Sequence, residues 1–332
     1  MSYTVGSLFA GIGGICYGFK QAGCKILWAN EIDKAASKTY SYNFPGHNLV
    51  SDDIHNLIKP KDLGQVDIIT SGFPCQAFSN AGLKKGFHDP RGNLFLETAR
   101  FIKATRPKAF LLENVPTLKS HDEGRTFEVI KDVITNQLGY SFKYFVLNSK
   151  DYGNIPQTRL RIYIVGFRGE SNWEEKYKSK TCTKNFNEPI KIPLTKKIQD
   201  FLINGKKDDK YYYQTDHPYY PKLKEKMTSY NTFYHWRRVY LREIKSNLCP
   251  TLTANMGTGG HNVPLIKDQD GFRKLTPEEC VRFQGFPDDF KFPEEVLNGQ
   301  RYKQAGNSVV VPVIKRIADE MVRVLDLKYG QP

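Results

Sequence analysis

Short apolar runs alternate with helical periodicity through the first half of the chain, and nearly every run ends in a residue able to do chemistry. That alternation commits a chain to strand–helix units, and so to a mostly parallel sheet covered on both faces. Runs at residues 3–9, 25–30, 48–50, 66–70, 108–112, 144–148 and 162–167 read as strands. Helical patterns at 15–22, from about 33, at 94–105 and at 123–137 fill the intervals. The prediction is a doubly wound α/β domain, whose ligands gather beyond the carboxyl ends of the strands.

The first run meets a glycine-rich turn, Phe9-Ala10-Gly11-Ile12-Gly13-Gly14. A strand, such a turn and a helix start let backbone N–H groups approach a polar or anionic ligand, although a purely structural turn needs the same glycines. The second run ends at Glu31, placed to accept hydrogen bonds from ribose hydroxyls. The third is followed by Asp52-Asp53-Ile54, which falls at another strand tip. For each of these acids the alternative is a helix N-cap or a loop charge.

The fourth run leads into Ser71-Gly72-Phe73-Pro74-Cys75-Gln76-Ala77-Phe78-Ser79. Pro74 fixes its own φ and biases Phe73 toward extended geometry, so a thiol is delivered on a defined turn at a strand end. A single cysteine is as often a small buried hydrophobe. The fifth run ends in Glu113-Asn114-Val115-Pro116, a second acid adjacent to Cys75 in strand order. Before the last run stands Gln157-Thr158-Arg159-Leu160-Arg161. Two arginines at i, i+2 share a face if extended, and suit an anion or a planar polar ring as well as they suit a solvated basic edge.

Composition narrows the classes. The 332 residues carry a net charge of +14, an excess that points to a polyanionic partner. The six cysteines include no CxxC pair, which argues against a disulfide framework or a zinc site and for a reducing compartment. No apolar run reaches membrane-spanning length, and the first residues read as a strand rather than a signal peptide, so a cytoplasmic protein is expected. From 169 to about 248 the chain turns Lys- and Tyr-rich, with helical periodicity only at 194–202. Basic groups interleaved with aromatics suit phosphate contacts and groove insertion, and Arg237, Arg238 and Arg242 are the candidates for base or phosphate contact. A helix is predicted over 277–283 with Thr276 as its N-cap. Another is predicted over 309–327, with Val310, Val313, Ile314, Ile317, Met321 and Leu325 on one stripe.

Six motifs in this order, FAGIGG, GFPCQAFS, ENV, QTRLR, RKLTPEEC with QGFP, and QAGNSVV, resemble those of the DNA (cytosine-5) methyltransferases, compact bacterial members above all. The resemblance covers residues 5–167 and 250–325. It implies a Rossmann-like, S-adenosylmethionine-dependent domain over 1–195 plus 303–332, and a smaller target recognition domain with hinge over 196–302. Cys75 would be the nucleophile that adds to C6 of a flipped-out cytosine in duplex DNA. Glu113 would hold N3 and the exocyclic amine, and Arg159 and Arg161 would orient the base. Phe9 and Ile32 would sandwich the cofactor's adenine, Glu31 would take its ribose, and Asp53 with Ile54 its adenine edge. Ala10, Gly11, Ile12, Gly13, Gly14, Pro74, Leu94, Asn307, Ser308 and Val309 would complete that pocket. A closing loop over 76–93 would bring Ser79, Lys84, Lys85 and Arg91 to the DNA. Thr251 would touch the backbone beside the flipped base, and Gly257, Gly259 and Gly260 would shape a recognition loop. A modification enzyme of a restriction system, working as a monomer beside a cognate endonuclease, is the implied setting. No metal is implied.

Three rival readings remain. A tRNA cytosine methyltransferase shares this fold, but usually carries a different dipeptide before Pro-Cys-Gln and a smaller variable domain. A catalytically silent DNA-binding protein of the same fold is opposed by the intact Cys75, Glu113 and Arg161 set. A nicotinamide oxidoreductase explains the first half alone and leaves Cys75-Gln76 and the Lys/Tyr-rich region without a purpose.

Overall fold

The computed structural model describes residues 2–74, 94–169, 182–237, 240–257 and 263–330, with the backbone alone for Arg237 and Gly257. Cys75, Ser79, Lys84, Lys85, Arg91, Arg238, Gly259 and Gly260 lie outside the described residues.

The apolar runs form one seven-stranded sheet: β1 (Thr4–Leu8), β2 (Lys25–Asn30), β3 (Asn48–Val50), β4 (Ile68–Ser71), β5 (Ala109–Asn114), β6 (Tyr140–Asn148) and β7 (Leu160–Arg168). Its order is β3-β2-β1-β4-β5-β7-β6. Strands β1 to β5 pair in parallel, whereas β7 runs antiparallel to both neighbours. The chain steps outward from β1 through β2 to β3 and then restarts on the other side of β1 with β4. This reversal opens a crevice at the carboxyl ends of β1 and β4. Successive side chains on a strand point to opposite faces. Ile68 accordingly joins a core with Val5, Leu111 and Val165, and Ile69 joins another with Leu8, Phe110 and Ile164.

Helices α1 (Gly14–Gln21), α2 (Lys34–Asn43), α3 (Leu94–Thr105) and α4 (Arg125–Asp132) cover the sheet. The helix expected from 123 begins at Arg125, because Asp122, Glu123 and Gly124 all take positive φ. It ends in a π-helical turn, Val133–Gln137. Strand β6 starts at Tyr140 rather than 144.

Beyond Asn185 the regular structure thins, and the helix expected over 194–202 is only a 3-10 turn, Ile198–Phe201. Pro189 and Pro193 bias the residues before them toward extended backbone. A second, antiparallel sheet then forms from β8 (Phe233–Arg237), β9 (Tyr240–Ile244), β10 (Leu265–Asp268) and β11 (Gly271–Lys274) in the order β11-β10-β8-β9. Its small core joins Tyr234, Trp236, Leu265 and Phe272 to Leu223 of α5 (Tyr220–Lys226). The larger apolar cluster does not stop at this sheet: Phe201, Phe233 and Leu275 are continuous with Val5 and Ile314.

Thr276 and Glu279 form a reciprocal capping box at the start of α6 (Pro277–Arg282). Glu279 also pairs with the buried Arg273 of β11 at 2.7 Å. Helix α7 (Asn298–Asn307) has no counterpart among the helices expected from the sequence. Helix α8 (Val311–Tyr329) starts two residues later than expected, with Pro312 in its first turn where a missing N–H costs nothing. Its apolar stripe seats on α1 so closely that a Cβ on Gly18 would lie 2.4 Å from Ile314. The last helix thereby packs against the first.

Candidate active site

Strand ends of the large sheet and α7 surround one cavity of about 860 Å³. The turn after β1 supplies one wall. Phe9, Gly11 and Gly13 have φ of 52°, 57° and 89°, so the backbone doubles back sharply before α1. Ala10, Gly11, Ile12 and Gly14 line the cavity with Phe9. Gly13 is not among these lining residues: it packs against Phe44, where a Cβ would come within 2.2 Å.

Glu31 follows β2 and holds this turn in place. One carboxylate oxygen accepts the Gly11 N–H and the other the Asp33 N–H, each at 2.8 Å. Burial pushes its carboxyl up, and those two N–H groups pull it part of the way back. Each oxygen keeps a lone pair for a further donor. Ile32 beside it is 58% exposed, an apolar face open toward the cavity. Asp53 and Ile54 also line the wall. The Asp53 carboxylate accepts the His55 N–H at 3.0 Å, so it serves as an N-cap as well. Asp52 turns instead onto the side-chain amide of Asn56 at 2.9 Å.

The opposite wall carries different chemistry. Gly72, Phe73 and Pro74 reach the cavity from β4, and Leu94 from the start of α3. Cys75 is next in sequence after Pro74. Asn114 donates its side-chain N–H to the Phe73 carbonyl at 2.9 Å, which fixes the backbone leading to Pro74. Glu113, the penultimate residue of β5, pairs with Arg161 Nε at 3.0 Å. Burial drives the Glu113 carboxyl above the usual range, and the guanidiniums of Arg161 and Arg159 oppose it. Arg161 reaches this place because β7 is antiparallel: its beginning, not its end, lies beside the end of β5, with Asn114 opposite Ile162.

Arg159 lines the same cavity as Arg161 but spends most of its fork on main chain. Its guanidinium donates to the backbone carbonyls of Leu252 at 2.7 Å and Gly306 at 3.0 Å, and to that of Ser308. Burial and the nearby Arg161 lower its pKa to about 9, which leaves it cationic at neutral pH. Asn307, Ser308 and Val309 line the cavity from the end of α7 and the loop that follows it.

Sequence reasoning missed the residues that stitch this region together. Gln157 is fully buried and donates to the Phe283 carbonyl at 2.7 Å, and Gln284 donates to that of Ala305 at 2.9 Å. Gln304 accepts from Thr39 of α2 at 2.8 Å, and Lys303 pairs with Asp33 at 2.8 Å. The three glutamines lie inside the QTRLR, QGFP and QAGNSVV motifs, and that placement is the signal that was available.

Of the residues expected to meet DNA, Thr251 is exposed, and its hydroxyl donates to the Thr158 carbonyl at 2.5 Å. Arg242 is exposed on β9, opposite His235. Arg237 ends β8, and Gly257 ends the short turn Ala254–Gly257. Among the described residues no cluster of His, Cys, Asp and Glu is arranged to hold a metal ion, and no helix is long and apolar enough to cross a membrane.

Residues 3–323 match the C-5 cytosine-specific DNA methylases. The Type II methyltransferase M.Bsp6I of Bacillus sp. (strain RFL6) is 53% identical over 323 residues, covering 96% of this chain and 98% of that protein. M.SsoII of Shigella sonnei is 39% identical over 328 residues, 98% of this chain and 81% of its own length. The crystal structure of the S. pombe Dnmt2 methyltransferase superposes with a TM-score of 0.72 at 21% identity, covering 98% of this chain and 99% of that one, and so shares the fold. Strand order, the residues at the strand ends and a relative identical at more than half of its positions agree, and the chain belongs to the C-5 cytosine-specific DNA methylase family.

Proposed function

We propose that this chain transfers a methyl group from S-adenosylmethionine to C5 of a cytosine flipped out of a specific duplex sequence, as the modification enzyme of a restriction system. One observation carries the reading: a single cavity joins a nucleoside-type wall, Phe9, Glu31 and Ile32, to the Glu113–Arg161 pair and the backbone that precedes Cys75.

The residues present fit the cofactor. The cavity volume lies within the range of small-molecule sites. Phe9 and Ile32 offer apolar faces for a purine, and Glu31 keeps lone pairs for ribose hydroxyls. The side-chain nitrogen of Gln304, buried at the cavity wall, has no hydrogen-bond partner among the described residues, so a donor stands ready for a polar ligand. S-adenosylmethionine would supply an electrophilic methyl group.

The protein's own groups must make C5 of cytosine nucleophilic, because the aromatic ring is not. Attack of the Cys75 thiolate on C6 opens the C5–C6 double bond and places an enamine over C5, C4 and N3. A thiol of ordinary pKa is only a few per cent ionised at neutral pH, so a cationic neighbour would favour the thiolate. Glu113, raised by burial, can donate a proton or a strong hydrogen bond where charge gathers at N3. C5, made nucleophilic in this way, would take the methyl group with S-adenosylhomocysteine as the leaving group; water then accepts the C5 proton, and the C5–C6 double bond re-forms as the Cys75 thiolate departs.

Residues 196–302 are proposed as the unit that reads the flanking bases, with the catalytic unit formed by 1–195 and 303–332. The protein is proposed to act as a cytoplasmic monomer beside a cognate endonuclease, since methylating one strand at a time needs no two-fold symmetry. The test is bisulfite sequencing of plasmid DNA from an expressing host. Protected cytosines should fall in one recurring short sequence, and a Cys75→Ala protein should protect none. A Cys75→Ala protein as active as the wild type would overturn the mechanism.

A further inference from the structure

Arg159 sits where three separate parts of the chain meet. Leu252 belongs to the segment that leaves the second sheet's region, and Gly306 and Ser308 flank Asn307 at the cofactor wall. One guanidinium, 3% exposed, bonds to the carbonyls of all three. The two segments also touch directly. A Cβ on Gly306 would lie 2.2 Å from the Thr253 carbonyl carbon, so backbone rests on backbone. The contact continues inward: a Cβ on Gly14, in the turn after β1, would lie 2.6 Å from Ser308 Oγ. Glu113, the nearby carboxylate that acts on this cation, is engaged by Arg161.

We propose that Arg159 is a positioning residue that, through its two terminal nitrogens, couples cofactor binding to the placement of the target-side segment 251–254. The proposal rests on the functional reading above. A ligand that orders 306–309 holds those two carbonyls still, and the planar fork then holds Leu252. Displacing either segment alone breaks charge-assisted hydrogen bonds in a buried place. Coupling of this kind is reciprocal, so DNA that settles 251–254 must tighten the cofactor site by the same factor. Lysine cannot replace arginine here, because a single ammonium lacks the rigid fork that spans three carbonyls.

The test measures the affinity for S-adenosylhomocysteine by calorimetry, with and without a duplex carrying the site found by bisulfite sequencing. In the wild type the duplex should tighten binding by about 5-fold or more, within the usual range of such couplings. In Arg159→Lys the ratio should fall to within about 2-fold of unity by the same criterion. A wild-type ratio near one would overturn the proposal. So would an Arg159→Lys protein that binds both ligands more weakly but keeps the wild-type ratio, as a merely structural residue would, or one that keeps the ratio and loses only turnover, as a base contact would.

A second measurement needs neither the variant nor DNA. Hydrogen exchange of the wild type should slow in peptides covering 251–254 when S-adenosylhomocysteine is added. Binding without that protection overturns the coupling alone. No binding of S-adenosylhomocysteine to the wild type overturns the functional reading, and this inference with it.

Discussion

Glu113 is a carboxylate only 9% exposed at the cavity wall, with Arg161 on one oxygen. Burial favours its neutral form, which is the form able to donate to a ring nitrogen. Glu113→Gln preserves shape and an N–H donor but cannot yield a proton. It is expected to lower single-turnover methyl transfer by about 10²-fold, as loss of one group that meets developing charge commonly does, while DNA binding is retained in a gel-shift assay. The strand-end places of Glu31 and Glu113 were legible from the residue order, although an N-cap or a loop charge is the other reason for an acid to stand there. Arg159 was legible only as a residue type. Its partners are carbonyls from segments about 90 and 150 positions away, and a backbone carbonyl leaves no mark in a sequence.

Among the elements, α2 shows how one side chain serves two purposes. Asp33 caps it by accepting from the N–H groups of Ala35 and Ala36, and also pairs with Lys303 of α7 at 2.8 Å. Burial raises the Asp33 carboxyl, but the Lys303 hydrogen bond and the helix N–H groups outweigh it, so the group lies below the ordinary aspartate range. A lowered carboxylate adds stability that is present above the unfolded value of about 3.9 and is lost as pH falls through the folded one. Asp33→Asn keeps a capping oxygen and removes the charge. It should cost under about 1 kcal/mol at pH 7, with the gap to the wild type closing below about pH 4 in urea titrations. Asp33→Ala should cost about 1 kcal/mol more. Helix α7 itself escaped the sequence reading because its stretch, NGQRYKQAGN, holds two glycines and almost no apolar periodicity. What it buries is Tyr302, Gln304, Ala305 and Gly306, mostly small or polar groups, and Gly306 packs against backbone.

For the whole molecule, the alternation of short apolar runs with helical patterns was enough to reveal the large sheet, since strand and helix there differ in length and in period. It did not reveal the second sheet, whose strands mix aromatics with charged groups and so form no apolar run. The net charge of +14 belongs to this scale too. If about six phosphates are contacted, affinity for duplex DNA should fall by about 10³-fold between 50 and 200 mM salt. A fluorescence-anisotropy titration across that range checks it, and a flat response would place the excess charge away from the DNA.

The joint between residues 155–159 and 249–252 is made largely of main chain. The Thr158 N–H meets the Cys249 carbonyl at 2.9 Å, the Cys249 N–H meets the Pro156 carbonyl at 2.7 Å, and Arg159 reaches a carbonyl as well. Bonds of that sort are indifferent to which side chains arrive beside them. If 196–302 is the recognition unit proposed above, a chimaera that imports a relative's counterpart should dock onto the rest of this chain, provided the crossover leaves the length of 249–253 unchanged. Sequence preference can then be exchanged between lineages without rebuilding the chemistry beneath it.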